Sequence, residues 1–208
     1  MSTQITIIDY GICNVKSVAN MLRKVGADSI IVSNPNDIAS ATRLILPGIG
    51  SFDRGITNLK ERGFMSILNK KVLEESIPIL GICLGMQLFA NRSEEGALEG
   101  LGWIDGEVKR FNFSTINKNL KIPHMGWNYI QPTKEHFLFK DVPQPMRFYF
   151  VHSYHYVCAS QENVFATANY GYDFTCAIVK DNIIGVQFHP EKSHKYGMQV
   201  LKNFVEHT

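Results

Sequence analysis

The sequence predicts an α/β fold with a mostly parallel central sheet and added antiparallel strands in its second half. In residues 5–91, short apolar runs alternate with segments of helical period, which is typical of parallel strands joined by crossover helices. From Gly100 onward the chain changes to short extended segments separated by Gly, Pro and Asn, a pattern that favours antiparallel pairing. The two halves therefore differ in their kind of strand pairing.

The first half supplies the predicted parallel strands and their helices. Asn14 is a candidate N-cap for the first helix, and Gly26 ends it. The strands are expected at residues 5–8, 29–32, 43–46 and 77–80, and the helices at residues 15–25, 52–60, 64–73 and from the turn at Cys83 to about residue 91. This alternation predicts a doubly wound layout.

The second half supplies shorter extended segments and a closing helix. The segments are expected at residues 104–110, 121–131, 147–158, 164–170, 175–180 and 183–188, and the amphipathic helix at residues 196–206. His152 and His155 are three apart on one of these segments, which predicts that they face opposite sides and do not form a metal pair. Aromatic residues around them indicate sheet packing.

Length and composition predict one domain over residues 1–208, since 208 residues with 45% hydrophobic residues can bury one sizeable core. A net charge of +2 without a basic run argues against a nucleic-acid partner. Four widely spaced cysteines suggest neither a zinc site nor a disulfide framework. The residues before Asp9 carry no signal-peptide pattern, and no apolar stretch approaches membrane length, so a cytoplasmic protein is expected.

Cys83 lies at a predicted turn between a buried strand and a helix. Gly81 and Gly85 flank it at two residues on each side, which permits a sharp backbone reversal like that of a nucleophile elbow. The start of a helix would favour a thiolate, and the N–H of Leu84 would point where an oxyanion forms. The alternative is a buried cysteine between packing glycines.

His189 follows the predicted strand at residues 183–188, and Pro190 ends that strand. This position is the edge of the sheet where ligands bind in open α/β folds. Glu191, two residues on, falls on the same side of an extended chain and could fix the imidazole tautomer. The alternatives are a half-buried histidine satisfied by backbone and a solvated surface carboxylate.

Residues 46–52 form a glycine-rich loop between a strand and a helix. Successive N–H groups in such a loop can hold an anion, and would supply a second arm of an oxyanion hole. Neither G-x-x-x-x-G-K nor G-x-G-x-x-G is present, so the loop does not indicate nucleotide binding. A tight turn without a ligand is the alternative.

Three motifs together resemble the class I glutamine amidotransferases: PGIGSF at 47–52, GICLGMQ at 81–87 and QFHPEKS at 187–193. The segments DYGICN at 9–14, PHMGWN at 123–128 and YFVHSY at 149–154 narrow the resemblance to the glutaminase subunits of imidazole glycerol phosphate synthase. It covers essentially the whole chain and implies a flavodoxin-like fold. Cys13 departs from the pattern, because the family usually has glycine there, and this puts the local turn and the partner surface in question.

The resemblance implies a glutaminase in which Cys83 is the nucleophile, His189 the base and acid, and Glu191 the residue that orients His189. Implied oxyanion and substrate contacts are Ile49, Gly50, Leu84, Gln87, Glu95, Ser153 and Tyr154. The implied partner is a (β/α)₈-barrel synthase (cyclase) subunit in a heterodimer, contacted through Asn14, Met125, Trp127, Tyr149 and Lys192. No cofactor or metal and no membrane partner is expected.

Three functions remain open at this point. The first is a glutaminase that passes its ammonia to a synthase subunit, which makes imidazole glycerol phosphate and AICAR in histidine biosynthesis. The second is a paralogue that feeds ammonia to a sugar-modifying synthase in surface polysaccharide biosynthesis. The third is a stand-alone cysteine hydrolase or a non-catalytic binding protein. Met125 and Trp127 could equally belong to the core, although the resemblance favours an interface.

Overall fold

Strands from both halves of the chain form one mixed sheet in this computed structural model, which describes residues 4–114 and 120–208. Residues 1–3, part of the stretch expected to lack a targeting signal, lie outside the described residues. The strands are β1 (Ile5–Ile8), β2 (Ser29–Val32), β3 (Leu44–Gly48), β4 (Ile79–Cys83), β5 (Arg92–Ser93), β6 (Gly106–Arg110), β7 (His124–Pro132), β8 (Arg147–His152), β9 (Tyr154–Cys158), β10 (Val164–Tyr170), β11 (Tyr172–Lys180) and β12 (Ile183–Val186).

The helices cover both faces of the parallel part of this sheet. They are α1 (Val15–Lys24), α2 (Phe52–Glu61), α3 (Phe64–Asn69), α4 (Leu84–Gln87) and α5 (His194–His207). A π-helical turn, Lys70–Glu74, extends α3. Across residues 4–114 and 120–208, none of the helices combines the length and the apolar content that crossing a membrane requires.

The sheet has a parallel part with the order β2-β1-β3-β4-β12 and an antiparallel part that continues β11-β10-β7-β8. β12 is parallel to β4, with Gly185 opposite Gly81, and antiparallel to β11. The strand expected at residues 183–188 is therefore the junction between the two parts, and not only an antiparallel addition. Because β3, β4 and β12 are parallel, their carboxyl ends meet at one edge of the sheet.

Apolar residues at helical spacing fix the helices to the two faces. Phe52, Ile56 and Leu59 of α2 are fully buried on one face, as the i, i+4, i+7 pattern predicts. Val18 of α1 and Leu201 of α5 lie in the core on the other face. Burying each such side chain stabilises the fold by about 1.5–3 kcal/mol. The doubly wound prediction for the first half agrees with this arrangement.

Two predicted elements differ from the structure. The helix after Cys83 ends at Gln87 and not near residue 91, because the carbonyl of Phe89 accepts a hydrogen bond from the Trp103 backbone. The chain is drawn away from helical geometry by that later segment. The single segment expected at residues 147–158 is two strands, β8 and β9, which are separated at Ser153 and pair with β7 and β6 respectively.

Candidate active site

Cys83 is the last residue of β4 and has left-handed backbone geometry, with φ 54° and ψ −111°. A side chain at Gly85 would overlap the backbone carbonyl oxygen of Leu46, and one at Gly81 would lie 2.6 Å from the ring of Phe89. Both glycines are therefore required by close approach, which lets the chain reverse around the cysteine. A positive φ at a non-glycine residue is strained and is typical of a nucleophile turn.

The helix that follows Cys83 contributes less than expected. Since α4 spans only Leu84–Gln87, a single turn, its macrodipole adds little to the stability of a thiolate. The N–H of Leu84 still lies at the start of that turn, next to Cys83.

His189 follows β12 after Gln187 and Phe188 and is held from three sides. Its backbone N–H donates to the carbonyl of Tyr149 at 2.9 Å, and its carbonyl accepts from the Ser193 hydroxyl at 2.6 Å. Its ring Nδ1 is 2.7 Å from Glu191 Oε1. The contact with Glu191 is expected from extended spacing, but it arises because Pro190–Lys192 forms a 3₁₀ turn.

The surroundings of His189 favour the doubly protonated, cationic form of its imidazole. Burial, at 2% exposure, lowers its pKa, but the Cys83 sulfur and the Glu191 carboxylate outweigh burial and raise the pKa of His189 to about 10. Because Glu191 accepts from Nδ1, the second proton lies on Nε2. Nε2 makes no hydrogen bond of good geometry within the described residues, although the sulfur is close enough to affect the ring.

The glycine-rich loop at residues 46–52, which we call the oxyanion loop, does not offer the N–H of Ile49 to the cavity. The N–H of Ile49 donates to the carbonyl of Ile12 at 2.9 Å, so it is engaged outside the cavity. Gly50 has φ 98° and open space around it, and a side chain at Gly48 would overlap the hydroxyl of Tyr10. The loop is closely packed at its base and free at its tip.

A cavity of about 410 Å³ opens above Cys83 and His189. The predicted oxyanion and substrate residues all line it: Ile49, Gly50, Leu84, Gln87, Glu95, Ser153 and Tyr154. One carboxylate oxygen of Glu95, Oε2, accepts the N–H of Phe52 at 2.8 Å. That bond caps α2 and fixes the Glu95 side chain at the rim of the cavity.

Gln187 is a polar residue at this site to which the motifs assign no role. Its Nε2 donates to the sulfur of Cys83 at 3.6 Å, and its Oε1 accepts from Gln87 Nε2 at 2.9 Å. The sequence signal for it is a glutamine directly after an apolar strand, separated from His189 by Phe188 alone. Gln87 also donates to the carbonyl of Tyr154 at 3.0 Å, so both protons of its amide are used inside the protein.

The family model for class-I glutamine amidotransferases matches residues 6–208. The chain belongs to this family. It is 54% identical to an imidazole glycerol phosphate synthase subunit HisH 2 from Methanococcus maripaludis, and 47% identical to one from Pseudomonas aeruginosa, over 97% of this chain and 98% of each relative. A HisH subunit from Leptospira borgpetersenii is 46% identical with the same coverage.

Two solved structures have the same fold. A putative GMP synthase subunit from Thermoplasma acidophilum superposes with a TM-score of 0.72 at 19% identity, covering 99% of this chain and 93% of that one. PurLQS from Thermotoga maritima gives 0.73 at 17% identity and covers 98% of both chains. The class I amidotransferase fold predicted from the motifs is confirmed.

The amidotransferase carries an exposed aromatic surface on β7, next to the active-site edge. Met125 is 62% exposed and Trp127 is 43% exposed, so the core alternative for both residues is wrong. The guanidinium of Arg147 lies 5.4 Å from the Trp127 ring centroid, and the ring of His194 stacks on Trp127 at 5.6 Å. An indole held rigid but left accessible is typical of an interface anchor.

The remaining predicted interface residues lie beside the oxyanion loop. Asn14 and Lys192 are exposed, and together with Ile49 and His189 they line a second, small cavity. The ammonium of Lys192 lies 5.8 Å from the ring centroid of Tyr149. Asn14 precedes α1, but its side chain makes no capping hydrogen bond.

Two further expectations are resolved by the local geometry. Cys13 has an ordinary backbone conformation, and its thiol is 3.5 Å from Asp9 Oδ1, so the turn accepts the residue in place of glycine. His152 and His155 do not face opposite sides: both rings contact Phe111, at 5.2 and 4.9 Å between centroids. One strand ends at His152 and the next begins at Tyr154, so the alternation of side-chain direction does not continue through Ser153.

Proposed function

We propose that this amidotransferase hydrolyses glutamine to glutamate and ammonia, and passes the ammonia to a synthase subunit that makes imidazole glycerol phosphate and AICAR in histidine biosynthesis. The observation that carries the proposal is the arrangement at one edge of the sheet, where Cys83 and His189 line one cavity and Glu191 Oε1 lies 2.7 Å from Nδ1 of His189. The names of the relatives support the pathway.

In the first half-reaction, the sulfur of Cys83 attacks the side-chain amide carbon of glutamine. A C–S bond forms, and the carbonyl electrons move to oxygen. When the tetrahedral intermediate collapses, the C–N bond breaks and Nε2 of His189 gives its proton to the leaving nitrogen, so ammonia departs and a thioester remains. Glu191 keeps Nε2 directed at the reacting atoms, because it holds the opposite ring nitrogen.

In the second half-reaction, the neutral imidazole takes a proton from water as that water attacks the thioester. The C–S bond breaks and glutamate leaves, with the sulfur again beside a protonated ring. Both intermediates place negative charge on the carbonyl oxygen, which needs N–H donors in place. Leu84 offers one, and Ile49 offers a second only after its bond to Ile12 is broken.

The amino acid portion of glutamine fits the polar rim of the cavity. Oε1 of Glu95 is the oxygen not used to cap α2, and a carboxylate there suits the α-amino group. Ser153 and Tyr154 lie at the junction of β8 and β9 and line the same cavity as Cys83. This placement holds the side-chain amide toward the sulfur.

Partner docking supplies the switch in this proposal. The resting bond from Ile49 to the Ile12 carbonyl leaves the oxyanion hole incomplete, and Gly50 gives the loop freedom to turn. A (β/α)₈-barrel synthase subunit seated on Met125 and Trp127 would reach Lys192, which borders the same small cavity as Ile49. Cleavage is thereby confined to complexes that can use the ammonia.

The test compares the wild-type chain with Cys83→Ala, each assembled with the histidine-pathway synthase subunit. Glutamine-dependent synthesis should vanish in the variant, while synthesis driven by added ammonia should match wild type, because the second reaction occurs on the partner. More than a trace of glutaminase activity in Cys83→Ala would overturn the assignment. For wild type, kcat for glutamine hydrolysis should rise when the partner and its acceptor substrate are added; equal kcat with and without them would exclude the switch.

A paralogous function is the second candidate, because the names of the Methanococcus and Pseudomonas relatives end in the numeral 2 and so distinguish a second subunit in those organisms. In that case the partner would be a sugar-modifying synthase, which would also receive the ammonia released from glutamine. Co-purification from the native cell decides between the two, since the partner that is retained identifies the pathway.

A further inference from the structure

We propose that Gln187 is a positioning residue that donates a hydrogen bond to the Cys83 sulfur and stabilises its anionic form. This inference rests on the proposed function for its meaning in catalysis, but the contact itself does not depend on the identity of the substrate. Gln187 Nε2 is 3.6 Å from the sulfur, within the range of an N–H···S bond, and the side chain is 0% exposed.

The orientation of the Gln187 amide is fixed by a chain of hydrogen bonds. The carbonyl of Tyr154 can only accept, so Gln87 must turn its NH₂ toward it. The same NH₂ donates to Gln187 Oε1 at 2.9 Å, which leaves the Gln187 NH₂ directed at the sulfur. His152 Nδ1 also lies 2.8 Å from the Tyr154 carbonyl, so the start of the chain is held from a second side.

A buried donor beside sulfur affects both half-reactions. A hydrogen bond to a charged group in a low-dielectric site is stronger than one to a neutral group, so the amide favours the thiolate over the thiol. In the second half-reaction the sulfur leaves as a thiolate, and the same donor stabilises it as the C–S bond breaks. His189 stabilises the same anion through charge, whereas Gln187 contributes no proton and remains neutral throughout.

The test measures the pH dependence of Cys83 alkylation by iodoacetamide in the chain alone, with the labelled residue identified by peptide mass mapping. Two variants are compared with wild type. Gln187→Met removes the donor with little change in volume, and its alkylation midpoint should rise by about one pH unit. Gln187→Glu keeps the size and the acceptor for Gln87 but places a negative charge near the sulfur, so its midpoint should rise further.

Gln87→Met is the matched variant, because it interrupts the chain of hydrogen bonds that orients Gln187. It leaves Gln187 in place but frees its amide to rotate, so the midpoint should rise by less than in Gln187→Met. Thermal unfolding of each variant checks that the fold is kept, and Gln187→Leu, which also removes the donor without adding a charge, takes the place of Gln187→Met if that variant does not fold. Midpoints equal to wild type in the folded Gln187 variants would overturn the inference.

The alkylation result separates this inference from the proposed function. A raised midpoint in a protein whose wild-type complex cleaves no glutamine would support the role of Gln187 and reject the glutaminase proposal. Normal glutamine cleavage with an unmoved midpoint would do the opposite. The other cysteines do not obscure the signal, because burial raises the pKa of Cys13 and of Cys158 to about 12, and burial also raises the pKa of Cys176 well above its usual value.

Discussion

The two sides of the cavity are in different states. On the nucleophile side, Glu191 Oε1 holds the His189 ring at 2.7 Å, and Cys83 and His189 line the same cavity, as the proposed acyl transfer requires. On the oxyanion side, the N–H of Ile49 is bonded to the carbonyl of Ile12 and faces away. The nucleophile side is built on the ends of paired strands, whereas the oxyanion side ends in a glycine-flanked loop tip.

In the proposed function, this difference keeps the chain prepared for catalysis but inactive until the partner docks. Register between β3, β4 and β12 fixes the nucleophile side, since moving Cys83 or His189 would break sheet hydrogen bonds and core packing. Rotation of the peptide at Ile49 breaks one hydrogen bond, a net cost of about 1 kcal/mol. Control by a partner is therefore less costly at the loop than at the triad.

The largest expected effect comes from breaking the nucleophile side. His189→Asn removes the proton carrier and should lower kcat for glutamine hydrolysis in the complex by about 10⁴-fold or more. Glu191→Gln leaves the proton carrier present but poorly oriented, so kcat should fall by no more than it does in His189→Asn. Single-turnover assays measure both, with ammonia-driven synthesis as the control for assembly. A His189→Asn variant close to wild type would reject the triad.

A pair of glycine variants tests whether the two sides differ in rigidity. Gly85→Ala places a Cβ on the carbonyl oxygen of Leu46 and should lower the free energy of unfolding by about 3 kcal/mol, with loss of activity under all conditions. Gly50→Ala meets no atom and should cost about 1–2 kcal/mol, from its positive φ alone.

The activity of Gly50→Ala separates the two sides further. Its unstimulated rate should match wild type, because the resting loop is already turned away, while stimulation by the partner should be reduced. Thermal unfolding and kcat with and without the partner measure these effects. Equal losses of stability and activity in Gly85→Ala and Gly50→Ala would contradict the contrast between a fixed and a mobile side.

Much of the fixed side could be predicted from the sequence because its residues stand in short motifs at strand ends. Cys83 lies between two glycines, and His189 stands before a proline, so local pattern and sheet topology suffice. Glycines at 48 and 50 predict a loop whose N–H groups point away at rest, and the bond from Ile49 to the Ile12 carbonyl agrees with this. The acceptor itself could not be predicted, since the rotation of one peptide plane leaves no trace in the residue pattern. The role of Gln187 depends on contact between residues 104 apart in the chain, which only the parallel pairing of β4 and β12 creates.

Errors in the predicted elements have the same origin. The helix after Cys83 has good local helical character through residue 91, yet it ends at Gln87 because later backbone groups from the segment around Trp103 pair with its last carbonyls. The apolar alternation through residues 147–158 predicts one strand, and the break at Ser153 follows from pairing with two different strands. In both cases tertiary contacts override a correct local preference.

Loss of the interface anchor should weaken partner binding without affecting the fold. Trp127→Ala removes an accessible aromatic ring on β7 and should raise the dissociation constant for the synthase subunit about 30-fold. Ile31→Ala is the matched control, because Ile31 is equally exposed at 43% and lies on β2, at the far edge of the sheet. Titration of each variant with the partner measures the effect, and a loss of affinity in both would indicate a general surface effect.

The smallest expected effect is a shift in the alkaline limb of the pH profile, which tests how Glu191 sets the charge of the triad. The pKa of His189 is raised to about 10, so its proton is present at neutral pH and lost as pH rises through that value. In wild type, kcat/KM for glutamine should therefore fall above about pH 10. Any folding stability that the charged ring contributes is fully present below pH 6.5, its usual pKa, and is lost as the pH rises through about 10, its raised pKa.

Glu191→Gln removes one of the two groups that raise the pKa of His189, leaving the Cys83 sulfur as the other. Because burial then counts for more, the imidazolium loses its proton at lower pH, and the alkaline limb should move down by about one unit. Gel filtration at each pH confirms that the complex remains assembled. If the alkaline limb stays in place while kcat falls, Glu191 orients the His189 ring but does not set its charge. The protonation state of His189 would then depend on Cys83 alone.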